Sequence, residues 1–269
     1  MNRATTHRSS GSAGDKPLPR IPTLGSTCLL IREDLGLSRN GAQQRHGISP
    51  SHLFNIERDR YVPTFETLEK IISGYRLDAM MARHLRELRA PAEHLAPADK
   101  LRECVNANDA LVEHLQDLER RDVLAAYVDP VWNVLACNDS FRAALPGLDK
   151  TDCIPTWLFS PHARPVFPQN PKEAAHSVAT LKAVLGRYRD SEQAHDLMRQ
   201  LRPHKEFQRL WTSSIRVAYG RDTNELLHMR DPETDELASY RLSVADVSQS
   251  QDVLLLTAIR KPYSGPPVT

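Results

Sequence analysis

In the stretch GISPSHLFNIERDR, Ser49, Ser51, His52 and Asn55 place short donors and acceptors at the start of a helix, and Arg58 and Arg60 follow with permanent cations. Side chains of that length reach base edges, and guanidinium groups neutralise phosphates. With Ser38 and Arg39 from the preceding helix, they form a candidate set for contacting double-stranded DNA. The chemistry of an enzyme is harder to find. No P-loop, GxGxxG, GxSxG or HExxH pattern occurs. His195 beside Asp196, and His162 near Cys153, lack an orienting third group. Cys28, Cys104, Cys137 and Cys153 form no CxxC pair and read as free thiols of a reducing cytosol. No catalytic role, metal or cofactor is expected, and the expected location is cytoplasmic. His46, His84 and His94 read most simply as surface residues, and Asp231 with Asp235 as solvated turn acids.

The elements that must position these groups follow from the pattern of the 269 residues. An apolar fraction of 40% beside 26% charged residues argues for folded domains, and no apolar run is long enough to span a membrane. Thirty-five basic residues nearly balance 34 acidic ones, but residues 1–90 carry an excess of positive charge and the remainder an excess of negative charge. Residues 1–23, rich in Ser, Gly, Arg and Pro, read as a mobile basic arm. Residues 24–90 read as five short helices: Gly36 ends the first, Ser38 caps the second, Gly47 stops it, Ser49-Pro50 opens the third, and Thr64 opens the fourth. Helices two and three meet at Gly47-Ile48-Ser49, the corner of a helix-turn-helix, where the glycine permits the sharp turn and Ile48 plugs the angle.

Residues 91–98, holding Pro91 and Pro97, read as a linker. From Asp99 to Arg120 one long helix is expected, with Leu101, Cys104, Asn108, Leu111, Leu115 and Leu118 spaced like a coiled-coil seam. That spacing fits a homodimer helix with Asn108 setting register, or a helix packed on its own domain. Strands are expected at Val123–Val128, Trp132–Cys137, Glu225–Met229, Leu237–Val244 and Val253–Ile259, with helices at Asn138–Leu145, Lys172–Tyr188 and Ser191–Leu201. The result is an α+β region, a sheet with helices on one side, closed by a flexible tail at 263–269.

The segment GISPSHLFNIERDRYVPTFETLEKI resembles the Xre-type, lambda-repressor-like helix-turn-helix, with Gly47, Leu53, Ile56, Glu57, Pro63, Leu68 and Ile71 on its pattern. One departure is Gln43, where that family usually has a small residue; a longer side chain at the helix crossing should loosen the packing. The segment VLAAYVDPVWNVLACNDSFRAAL, with LKAVLGRYRDS, EFQRLWTSSIRV and the closing strands, resembles the ligand-binding domain of MmyB-like transcription regulators, a PAS-like sheet with covering helices. Here Asp231-Pro232 stands where that family commonly has a His-Pro pair.

The resemblance implies a two-domain, DNA-binding transcription regulator that dimerises and senses a small apolar or amphipathic, fatty-acid-like ligand in residues 99–262. Trp132, Phe141, Trp157, Phe159, Tyr188, Trp211 and Tyr240 can wall such a pocket, and Asn138 or Arg187 can orient a polar head. The same aromatics serve equally well as core beneath a sheet, and Arg187 fits better as a helix-end cation. A protein-interaction module with a degenerate helix-turn-helix, sequestering another regulator, is the alternative reading.

Overall fold

Side-chain caps divide the first domain. The computed structural model describes residues 18–222, 224–247 and 250–267. Thr23, Ser38, Ser49, Thr64 and Asp78 each accept a hydrogen bond from a backbone N–H in the first turn of the helix that follows. The helices so begun are α1 (Leu24–Asp34), α2 (Arg39–His46), α3 (Pro50–Glu57), α4 (Phe65–Tyr75) and α5 (Ala79–Arg89). A cap of this kind contributes about 1 kcal/mol, enough to fix boundaries in helices too short to persist alone. Cys28, Ile31, Ala42, Leu53, Ile56, Leu68, Ile71 and Leu85 close a shared core. Ala42 is the small residue at the helix crossing, whereas Gln43 faces solvent, so the loosening expected from Gln43 does not arise.

Two expectations about chain segments change. The first 17 residues of the supposed mobile arm, and Val268 and Thr269 of the tail, lie outside the described residues. Residues 18–23 are held against the far domain: Pro19 is buried and its carbonyl accepts from Arg202 Nε at 3.1 Å, and Ile21 packs on the cluster around Leu197 and Phe207. At the other end Ser264 N donates to Ser239 Oγ at 2.9 Å, so the start of the tail is pinned too.

The long helix breaks into α6 (Ala98–Asn106) and α7 (Asp109–Glu119). Asn108 is the reason. Its carboxamide oxygen accepts from Ala110 N and Leu111 N, making it an N-cap rather than a register residue. Leu101, Val105 and Leu115 are buried against Ala125, Tyr127, Leu135 and Val253, so the apolar seam serves its own domain.

The sheet consists of β1 (Val123–Val128), β2 (Val134–Cys137), β3 (Leu227–Arg230), β4 (Leu237–Val247) and β5 (Ser250–Pro262), antiparallel throughout in the order β2-β1-β5-β4-β3. This is the PAS-like sheet of an α+β, two-domain chain. Apolar residues occupy both parities of β1: Ala126 and Val128 enter one core, Ala125 and Tyr127 the other. A strand apolar on both faces needs cover on both. Helices therefore lie on two sides, not one. Helices α6 and α7 cover the outer face. The inner face carries α8 (Asp139–Ala144), α9 (Ile154–Leu158), α10 (Ala163–Val166) and the 18-residue α11 (Asn170–Arg187). Behind α11 pack α12 (Glu192–Leu201) and α13 (Lys205–Ser213). No described helix is long and apolar enough to cross a membrane.

Candidate functional site

The reading edge is built at the corner between α2 and α3. Gly47 adopts φ 74°, a left-handed conformation that costs a glycine nothing, and Ile48 beyond it is buried. Ile48 N donates to His46 Nδ1 at 3.1 Å, while His46 Nε2 meets Tyr75 Oη at 3.3 Å. His46 is thus a buried bracket for the corner, not a surface residue, and burial holds its pKa below the ordinary imidazole value. Ser49 caps α3 and Ser38 caps α2. Ser51 and Asn55 are exposed one turn apart, and His52 lies edge-on to Tyr61 with centroids 4.8 Å apart.

The arginines are organised around Phe54. The guanidinium carbons of Arg39, Arg60 and Arg58 stand 4.9, 5.5 and 5.7 Å from its ring centroid. Arg39 also bonds Glu57 at 2.8 Å, so it is partly a structural residue. Glu57 is wholly buried, and Asp59 is bonded to Gly25 N and Thr23 Oγ1 on α1, leaving Arg58 and Arg60 exposed at the end of the edge. If this edge reads DNA, Asn55→Ala should cost roughly 1–3 kcal/mol of preference at one base pair. Arg60→Ala should instead lower affinity for all sequences and reduce the salt slope by about 1. Anisotropy titrations at several salt concentrations check both, and equal losses on specific and random DNA for Asn55→Ala would remove it from base reading.

The second site is a cavity of about 440 Å³ between the inner sheet face and α8–α11, within the usual range for small-molecule pockets. Trp132, Phe141 and Trp157 line it with Leu145, Leu227, Met229, Leu242 and Leu256. Its polar side comes from one face of α11 and the loop before β3. Glu173, His176, Ser177 and Thr180 follow each other at helical spacing, opposite Tyr219 and Arg221. Burial first, then the Arg221 charge, holds the His176 pKa below the ordinary imidazole value.

The other expected pocket residues are elsewhere. Asn138 Oδ1 accepts from Ala125 N and Phe141 N and its Nδ2 donates to Val123 O, so it ties β1 to α8. Phe159, Tyr188 and Trp211 lie in the core shared by α11, α12 and α13, with Phe159 edge-on to Phe207 at 5.4 Å. Tyr240 is core beside β3 and does not line the cavity. Arg187 pairs with Glu93 at 2.7 Å, as a helix-end cation. Asp231, in place of the His-Pro histidine, accepts from Glu233 N and Thr234 N and closes the β3–β4 turn. Sequence reading missed the polar side of the cavity. The run of Glu173, His176, Ser177 and Thr180 beside the apolar stripe of Val178, Leu181 and Leu185 was the available signal for its α11 half.

The two domains that carry these sites meet along α5 and α11. A Cβ at Gly186 would come within 2.8 Å of His84 Cε1 and 2.9 Å of Leu88 Cδ2, so glycine permits α5 and α11 to pack closely here. His84 is 1% exposed, contrary to its surface reading. Ile215 and Val217 pack on the first domain's core. Two residues further on, Tyr219 Oη donates to Glu87 Oε2 on α5 at 2.5 Å, and Arg83 lies 3.8 Å over the Tyr219 ring.

A helix-turn-helix family model matches residues 30–79, and a model of the MmyB-like transcription regulator ligand binding domain matches residues 107–262, more than half the chain. The chain belongs to the MmyB-like transcription regulators. No curated protein matches it significantly. The MmyB-like match begins just after α6 and ends on the last residue of β5, so it takes in α7 of the outer layer, the helices of the inner face, the sheet and the whole cavity. The helix-turn-helix match spans the corner, α3 and the arginine cluster around Phe54.

Proposed function

We propose that this MmyB-like regulator acts in the cytoplasm as a sequence-specific, homodimeric DNA-binding protein whose affinity for DNA responds to a small amphipathic ligand with a fatty-acid-like apolar body. The observation that carries the coupling is Tyr219, which faces the cavity and also holds Glu87 on the last helix of the reading domain. A ligand shifts an equilibrium only by its difference in affinity for the two states. A molecule that displaces Tyr219 on entering would bind best when the latch to α5 is open. The lever so supported is the 214–221 segment rather than residues 99–120, whose two helices pack on the sheet's outer face.

The dimer is supported by the way helix-turn-helix readers usually address DNA, as two half-sites about one helical turn apart that take two reading helices. Sedimentation of the protein on its DNA at micromolar concentration tests this, and a lone protomer on the complex would refute it. The coupling is tested by DNA anisotropy with and without ligand carried from the host cell, for the wild type and Tyr219→Phe. The ligand should shift DNA affinity in the wild type by about 5–150-fold, and by clearly less in the variant while still binding it. An unchanged DNA affinity on saturating the wild-type cavity would overturn the reading.

A further inference from the structure

The polar side of the cavity is charge-balanced. The Arg221 guanidinium is bonded to the Glu173 carboxylate through both terminal nitrogens, with side chains only 10% and 7% exposed. A second carboxylate, Glu225, lies 3.9 Å from Arg221 and is itself bonded by Lys172 at 2.6 Å. Two cations thus face two anions, and His176 beside them favours its neutral form. One donor is left over: Arg221 Nε is buried with no hydrogen-bond partner among the described residues. An unanswered donor in such a place is costly unless something accepts from it.

Resting on the ligand-binding reading of this cavity, we propose that it selects an amphipathic molecule whose head is an uncharged oxygen acceptor, the carbonyl of an amide or ester, over an ionised carboxylate. A carbonyl oxygen can accept from Arg221 Nε, or from Ser177, without disturbing the Arg221–Glu173 pair or the Thr180 hydroxyl, which already donates to His176 O. An ionised carboxylate would bring a third anion beside Glu173 and Glu225 with no free cation to meet it among the described residues that line the cavity. Accepting from Nε would leave that charge unneutralised beside the intact pair, and neutralising it would mean breaking the pair and stranding Glu173. The apolar body then lies against Trp132, Phe141 and Trp157 in either case.

The test uses the full-length chain and three probes of one chain length: decanamide, methyl decanoate and decanoate, at about pH 7.5. Trp132 and Trp157 on the cavity wall report binding by their fluorescence, with tritium-labelled probe in equilibrium dialysis as the second measurement. The amide and the ester should bind about tenfold or more tightly than the carboxylate. Glu173→Gln, which removes one anion and releases Arg221, should narrow or reverse that preference. Decanoate binding the wild type as tightly as decanamide would overturn the proposal while leaving the cavity a ligand site. Saturable binding of none of the three would overturn the ligand-binding reading and this inference with it.

Discussion

Glu57→Ala is expected to destabilise the reading domain by about 3–5 kcal/mol, the usual cost of removing one member of a buried ion pair. Its carboxylate is fully buried and accepts from Arg32 Nε at 2.5 Å, from Arg32 Nη2 at 3.2 Å and from Arg39 Nε at 2.8 Å. One acid on α3 therefore ties down α1 and α2 together. After the substitution Arg39, about a third exposed, can turn to water, but Arg32, at 9%, cannot. Arg32 would remain as a buried cation, with Leu37 O as its remaining hydrogen-bond acceptor and Glu33 as its remaining acid among the described residues. Urea unfolding followed by far-ultraviolet circular dichroism measures the loss. Replacing both partners, Arg32→Met with Glu57→Leu, should recover most of it, because an apolar pair of similar volume strands no charge. A single-variant loss below about 1 kcal/mol would show that water enters the site and screens it.

Acid should loosen the contact between the domains, and His84 sets the range. Burial, then the nearby Lys182 charge, lowers its pKa to about 4. The unfolded imidazole takes a proton below about 6.5, whereas the buried one does so only near 4. Between those values the unfolded state binds more protons, so stability falls as the pH falls, and the loss levels off below about 4. The full difference is about 3 kcal/mol for a group this deeply buried. Lys182, from α11, has its own pKa lowered to about 8 by burial and stays charged throughout this acid range, so it adds repulsion. The comparison that isolates His84 is wild type against His84→Leu, with unfolding measured at about pH 7 and about pH 4.5. The variant should lose less stability over that interval. Identical losses would remove His84 from the acid response.

How much of this was legible in the sequence depends on what each residue had to choose between. Capping residues have one good use, so Ser38, Ser49 and Thr64 marked their helices correctly. Asn108 had two, and the spacing of Leu101 to Leu118 suited a dimer seam as well as a pair of helices on a sheet. Its own backbone hydrogen bonds decided the matter, and periodicity does not register those. His84 lies on the same helical face as Met81, Leu85 and Leu88, a position that implied burial, but an imidazole alone suits either surface or core. The aromatics divide by which side of α11 they occupy. That helix is covered on two sides, by the cavity and by the α12–α13 core, so spacing within the chain could not assign Trp157 to the cavity and Trp211 to the core. Tyr219 and Arg221 sit in a stretch without period, where only the folded chain brings them to Glu87 and Glu173.

The attachment of residues 18–23 through Pro19 and Ile21 changes how the reading domain can move. A body joined to its neighbour by one linker can pivot in any direction. This one is anchored where its chain enters, at Arg202, and again where it leaves, through Ala90 and Glu93 to α11. With the 214–221 segment released from the first domain, these two attachments leave rotation about the line between them as the principal freedom. Ligand-driven motion should therefore resemble a door on two hinges, turning the reading helix of each chain through an angle about that line without freeing its domain.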